Sequence, residues 1–237
     1  MAIYHLSHGM VSRSSGRSAV QSVAYITGSK IQEERRGLTA NYQNRASDVI
    51  YTETLAPEGA PDWARDVHRL WNRLENFEDS YADSHYKTLE TQEKYKSCAQ
   101  TAMTIVVALP RELSSEVSHE LVREFAHQRF VSRGLIVTYA IHDDEGNPHA
   151  HLQISRRSFD EEGQLSSKKD REICKKSQLK VTRKLWADLT NRMLEKEGFE
   201  ARITEKSFLD LGIQLLPTHH RGWYADQLAG RGIQSRI

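Results

Sequence analysis

The chain has 237 residues, with 33 Lys and Arg against 32 Asp and Glu for a net charge of +1, 38% hydrophobic residues and 27% charged ones. That length buries a core without covalent staples, and the balance excludes a disordered polyelectrolyte. No apolar run approaches the roughly 20 residues of a membrane span, and the start lacks a charged-then-apolar signal segment, so the expected compartment is the cytoplasm. Cys98 and Cys174 stand far apart, neither with a neighbour at zinc-ligand or redox-motif spacing, and both are expected as free thiols.

In chain order, Ala2 to Leu6 reads as an opening strand and Ser12 to Gly16 as a loop. A helix follows from Ser18, which can cap it, with Ala19, Val20, Val23 and Ala24 at helical spacing and Gly28-Ser29 to stop it. Residues 37 to 47 are polar and irregular, Val49 to Leu55 reads as a strand, and a helix starting near Asp62 carries Trp63, Val67, Leu70, Trp71 and Leu74 on one face. Asp79 to Gln100 is polar, compatible with either a long exposed helix or an insertion. The β-branched run Ala102 to Leu109 predicts a strand buried on both faces and stopped by Pro110. A helix from Ser114 to Ser132 is broken by Gly134. Leu135 to His142 and His149 to Ser155 then flank a cluster of turn formers, the pattern of an antiparallel hairpin. The last helix runs from about Thr182 to Lys196. Strands and helices alternating irregularly around a hairpin predict an α+β fold, helices packed on a mainly antiparallel sheet.

The near-neutral sum hides a segregation of charge. Residues 63 to 93 are acidic, whereas Arg156, Arg157, Lys168, Lys169, Arg171, Lys175, Lys176, Lys180, Arg183 and Lys184 outnumber the acids among them, and Arg221, Arg231 and Arg236 close the chain. A basic stripe is the footprint of a polyanion partner, although a solvated helix face produces the same pattern.

His149 and His151 are two apart in a strand, so they point to the same face, and His142 can reach that face across the turn. Two such histidines alone could line a wet sheet face. A third across a tight turn favours a divalent-metal site of neutral imidazoles with positions left open for water or a substrate oxygen. His68, His85, His119 and His127 lie in helical or polar stretches and are expected to face solvent.

At about 100° per residue, Ala19, Val20, Val23 and Ala24 take one side of their helix and Ser18, Gln21, Ser22 and Tyr25 the other. Tyr25 therefore stands off the core stripe with its hydroxyl accessible.

The opening Met1 to Leu6, the Ser12 to Ala19 stretch with Tyr25 after it, and Asn147-Pro148-His149-Ala150-His151-Leu152 together resemble the MobA/MobL relaxases. The likeness continues through Ala108-Leu109-Pro110, Ala201-Arg202-Ile203, Gly212-Ile213, Pro217, His220 and Gly222. The resemblance implies a palm-like antiparallel sheet of the HUH endonuclease class, and residues 1–237 as a single nicking domain, either whole or the N-terminal part of a longer protein. It implies that Tyr25 is the nucleophile, that His142, His149 and His151 bind Mg²⁺ or Mn²⁺, and that a strand of DNA is nicked through a 5′-phosphotyrosine at a transfer origin and rejoined. The partners it implies are single-stranded and hairpin or duplex origin DNA, accessory relaxosome proteins and a type IV secretion coupling protein. Arg156, Arg157, Lys168, Lys169, Lys175, Lys176 and Arg221 are then expected to follow DNA phosphates. Many relatives carry an Arg-Glu pair where this chain has Met103-Thr104, so a carboxylate beside the histidines is missing there. The rival readings are a rolling-circle initiator or single-strand transposase of the same chemistry, a DNA-binding relative without activity, and a zinc hydrolase in which Tyr25 is incidental.

Overall fold

The β-branched run and its neighbours pair into one five-stranded sheet. The computed structural model describes residues 3–144, 146–160, 162–207 and 210–213, and the chain parts into two compact units, Met1–Thr204 and Glu205–Ile237. In the first unit β1 (Leu6–Ser12), β4 (Val49–Leu55), β5 (Gln100–Ala108), β6 (Val137–Asp144) and β7 (Asn147–Ser155) lie in the order β1-β5-β7-β6-β4, with every neighbouring pair antiparallel. Two small hairpins stand apart, β2 (Lys30–Glu33) with β3 (Leu38–Asn41) and β8 (Arg157–Phe159) with β9 (Leu165–Lys169). In the described part of the second unit the Ser207 hydroxyl donates to the Asp210 carboxylate at 2.7 Å, closing a local turn.

The sheet separates two cores. On one face Val107, Ile105, Tyr139, Ile141, Ala150, Leu152 and Ile154 pack under α4 (Ser115–Arg129) and α5 (Lys176–Lys196), which contribute Leu121, Phe125, Trp186 and Leu194. Alternation along β7 then sends His149, His151 and Gln153 to the opposite face. There α1 (Ala19–Ile26) and α2 (Val67–His85) cover the sheet. The Gln153 amide donates to the Ala19 carbonyl at 2.8 Å, and the Trp71 indole donates to Thr138 Oγ1 at 3.0 Å.

Local chemistry sets α1. Ser18 accepts from the backbone of Val20 and Gln21, satisfying two of the N–H groups that a helix start leaves orphaned. Glu75 of α2 accepts from the Ala19 N–H at 2.9 Å, putting negative charge at the positive end of the helix dipole. Ala19, Val20, Val23 and Ala24 are fully buried, and each such valine contributes about 1.5–3 kcal/mol of burial.

Several boundaries differ from the sequence expectation. Of the opening strand expected over Ala2 to Leu6, Ala2 lies outside the described residues and residues 3–5 are not in strand; β1 begins at Leu6 and runs to Ser12, because its partner β5 decides the register: Leu6 pairs with Val107 and Val11 with Ala102. The polar stretch from Asp79 to Gln100 resolves into the end of α2, a second helix α3 (Leu89–Cys98) and the first residue of β5. The helix near Asp62 is a short 3-10 turn, Asp62–Arg65, before α2 proper, and α5 starts six residues early at Lys176. Of the small hairpins, β3 falls in the stretch expected to be irregular and β8 and β9 lie in the one read only as basic, while no element was expected over Lys30–Glu33. No helix of the described residues is long and apolar enough to cross a membrane.

A three-histidine centre beside the Tyr25 helix

The turn between β6 and β7 places the histidines. Gly146, at φ +78°, takes the left-handed conformation that so tight a hairpin requires. The resulting register sets His142 directly opposite His149 and Ala140 opposite His151, so all three imidazoles leave the same face. Their ring centroids are 4.9 to 5.4 Å apart, and one ligand nitrogen from each lies within 4.8 Å of the others.

Backbone carbonyls orient two of the rings. His142, fully buried, faces the Ile26 carbonyl with Nε2 at 2.6 Å, and His149 faces the Asn147 carbonyl with Nδ1 at 2.8 Å. A carbonyl only accepts, so each of those nitrogens carries the proton and donates it. With those tautomers, His142 Nδ1 and His149 Nε2 are the nitrogens whose lone pairs can serve as ligand atoms. Burial, then the neighbouring His149, His142 and Arg45, push the His151 imidazole down to about 3, so it is neutral throughout the physiological range. Three imidazole nitrogen donors, two of them aimed by second hydrogen bonds, are a donor set that fits a divalent cation. Among the described residues they form the one group of His, Cys, Asp or Glu with such spacing.

Tyr25 is one residue before Ile26, whose carbonyl anchors His142, so the helix end and the histidine centre share an attachment. Its ring is 38% exposed, meets Tyr42 edge-on at 5.4 Å, and lies 4.5 Å under the Arg45 guanidinium. Arg45 sits in a 3-10 segment, Gln43–Asp48, and its second neighbour is Asp48 at 3.9 Å. Gly28 (φ +59°) admits that segment, for a Cβ there would lie 2.8 Å from the Ala46 backbone. Sequence reasoning passed over Tyr42 and Arg45 because nothing local marks them. The only available signal was a glycine just past the helix, which served equally well as a stop.

The residues expected to follow DNA divide into separate groups. Arg157 is 1% exposed and forms a two-point ion pair with Glu78, at 2.8 and 3.0 Å, while donating to the carbonyls of Ser166 and Ser167. Lys169 also bonds Glu78, at 3.0 Å, and the Gln100 carbonyl. Arg157, buried, and Lys169, half-buried, are thus both held on Glu78, which ties α2 to the β8/β9 hairpin. Arg156 is buried too. Lys168, Lys175 and Lys176 are exposed, and Arg221 lies outside the described residues. Arg13 likewise engages Glu75 and Asp79, so the acidic and basic stretches that look segregated along the chain partly neutralise one another in the fold. His119 is not free in solvent either, being stacked on Tyr51 at 4.6 Å and 3.3 Å from Glu53. Met103 is buried in the core under α4 and α5, while Thr104 looks toward Gly9 of β1.

The model of the MobA/MobL family matches residues 17–231. The conjugal transfer protein TraA of Agrobacterium fabrum is 30% identical over 266 residues, an alignment covering all of this chain and 23% of TraA. A probable mobilization protein MobA of Bifidobacterium longum is 32% identical over 275 residues, covering 98% of this chain and 45% of that protein. The chain thus spans less than half the length of either relative. Among solved structures, one described as the molecular basis of vancomycin resistance transfer in Staphylococcus aureus superposes with a TM-score of 0.74 at 29% identity, covering 87% of this chain and 100% of that one. The metal-bound conjugative relaxase TrwC in complex with oriT DNA shares the fold, with a TM-score of 0.56 at 14% identity, covering 97% of this chain and 85% of that one.

Proposed function

This chain belongs to the MobA/MobL family, and from that premise we propose that it is a relaxase which nicks one strand of DNA at a transfer origin through Tyr25 and can rejoin it. The observation that carries the reading is the shared anchor of nucleophile and metal site: the helix bearing Tyr25 ends on the carbonyl that orients His142.

A neutral phenol is a weak nucleophile, so its attack depends on charge gathered around the phosphate. Mg²⁺ or Mn²⁺ held by His142, His149 and His151 would supply Lewis-acid charge to a non-bridging phosphate oxygen. His151, neutral and half-buried, keeps a lone pair available, and the Ile26 and Asn147 carbonyls hold the other two rings in place. Arg45, over the Tyr25 ring and within electrostatic reach of His151, adds a fixed positive charge at the same pole. Tyr25 Oη bonds to phosphorus and the bond to the 3′ oxygen breaks. The phenol proton is released, the departing oxygen gains one as a 3′-hydroxyl, and the 5′-phosphate remains on tyrosine. One phosphodiester replaces another, so the step reverses without ATP. Lys168, Lys175, Lys176 and Arg221 are assigned to backbone phosphates. We read residues 1–237 as the nicking module, acting on cytoplasmic plasmid DNA alongside accessory relaxosome and secretion-coupling proteins.

The test is incubation with labelled single-stranded oligonucleotides from the transfer origin and a divalent metal, read on a denaturing gel. Wild type should yield a covalent adduct mapping to Tyr25. Tyr25→Phe should bind without cleaving. An adduct on another tyrosine such as Tyr4, or cleavage by Tyr25→Phe, removes the assignment.

A further inference from the structure

At the end of β5 away from the histidines lies a cavity of about 540 Å³, whose lining combines Tyr81, Tyr86 and Tyr95 with Arg156, Lys168 and Arg171. Gln100, part of its lining, starts β5, whereas Ala108, the partner of His149, ends it. Eight strand residues separate them, about 26 Å at the usual rise.

The cations around this cavity are not equivalent. Arg157 and Lys169 are answered by Glu78. Arg156 has no such partner among the described residues. Only 5% exposed, it places Nη1 at 3.6 Å from Met10 Sδ, a weak thioether acceptor, and at 3.5 Å from Gln100 Oε1, the limit of a hydrogen bond, and its Nε has no partner. A guanidinium withdrawn from water without an anion is strongly disfavoured, so one that lines an open cavity marks a place where an anion belongs. Lys168 and Arg171 are exposed at the same rim and add to that pull.

The rest of the lining is rich in aromatic side chains. Tyr95 is pinned by its hydroxyl to Glu78 and Arg157, and its ring lies 5.5 Å from Tyr81 and 5.3 Å from Tyr86. Tyr81 is occupied by His85, stacked at 4.1 Å, and by the Arg157 guanidinium at 4.5 Å. Tyr86, half-buried and part of the cavity lining, has the tilted Tyr95 as its one ring neighbour and no stacked ring partner among the described residues. An anion pole and an unstacked aromatic ring lining one cavity fit a nucleotide, with its phosphate on Arg156 and its base on Tyr86.

We propose that this cavity holds one nucleotide of single-stranded DNA flanking the nicked segment, a second anchor point remote from the histidine centre. The proposal rests on the relaxase reading for its choice of polymer. Affinity is measured by fluorescence anisotropy of a labelled single-stranded origin oligonucleotide, with cleavage followed in parallel. Tyr86→Ala should weaken binding at least about fivefold, the loss of one stacked base, while Tyr86→Phe keeps wild-type affinity. Arg156→Met should weaken binding as well, and Arg171→Ala on the exposed rim gives the same reading if burial prevents the first variant from folding. Origin oligonucleotides carrying 5-iododeoxyuridine at successive positions should photo-crosslink to Tyr86 at one position outside the nick. Wild-type affinity in both Tyr86→Ala and Arg171→Ala, with normal cleavage and no crosslink at the cavity, overturns this site and leaves the relaxase reading standing. Failure of the wild type to bind or cleave any origin strand would instead remove the relaxase reading.

Discussion

Arg157 is the sharpest place to separate a structural cation from a DNA contact. In Arg157→Met the aliphatic body is kept and the guanidinium is lost. Glu78, 2% exposed in its side chain, then loses both hydrogen bonds from Arg157 but keeps Lys169 at 3.0 Å and the Tyr95 hydroxyl. Breaking a buried pair from one side costs about 3–5 kcal/mol, and the remaining lysine places this case near the lower end, about 3 kcal/mol. For a unit of roughly two hundred residues each kcal/mol moves Tm by about 2–4 °C, so the melting temperature should fall by about 6–12 °C. Thermal unfolding followed by circular dichroism reads that change, and a salt titration of oligonucleotide affinity reads the other possibility. The salt slope should stay at the wild-type value. In the double variant with Glu78→Gln, the charge left behind is gone, and the two changes should be non-additive by more than about 1 kcal/mol. A single variant that melts within a degree of wild type, or that lowers the salt slope by the value of one phosphate contact, would refute the assignment of Arg157 to the interior.

The same network carries a pH signature. Burial pushes the Glu78 carboxyl up, but the Arg157 hydrogen bond, the Lys169 and Arg157 charges and the Tyr95 hydroxyl outweigh it and hold the group below the usual carboxylate range. Its contribution is therefore present above the unfolded value of about 4.3 and lost as pH falls through the lower folded one, so melting temperatures from pH 6 to pH 3 should drop more steeply in wild type than in Glu78→Gln. His149→Ala should reduce Mn²⁺ affinity more than about tenfold by calorimetry and remove cleavage at metal levels that saturate wild type, while His68→Ala, exposed on α2, changes neither. Replacing Lys168, Lys175 and Lys176 together with alanine should flatten the salt dependence of single-strand binding by a slope of up to about 2, and an unchanged slope would make them ordinary solvated side chains. Gly28→Ala puts a methyl 2.8 Å from the Ala46 backbone at a left-handed position, so it should displace the Arg45 segment and slow cleavage more than it lowers affinity for DNA. Wild-type cleavage by that variant would show that the segment plays no part in the chemistry.

What the sequence by itself determined lies within a few residues of each motif. Ser18 and the apolar stripe after it specify α1 and leave Tyr25 on the open side, because a cap and a 3.6-residue period act through neighbouring backbone groups. His142, His149 and His151 were legible as a set because a tight turn and a two-residue strand period bind their directions together. The α+β class followed from the same periodicities. Everything that depended on a distant partner was decided only in the tertiary structure. β1 slid to Leu6–Ser12 because β5 supplies its hydrogen bonds, and β2 and β3, polar and only four residues each, exist through each other and the helices they touch. Arg157 and Lys168 look alike in a basic stretch, yet Glu78 draws one inward across 79 positions of sequence while the other stays in solvent. Arg45 reaches Tyr25 only because Gly28 lets two segments approach. Charge in a sequence is a property of residues, but what a charge does is set by the nearest opposite charge and its distance from water, and folding alone chooses both.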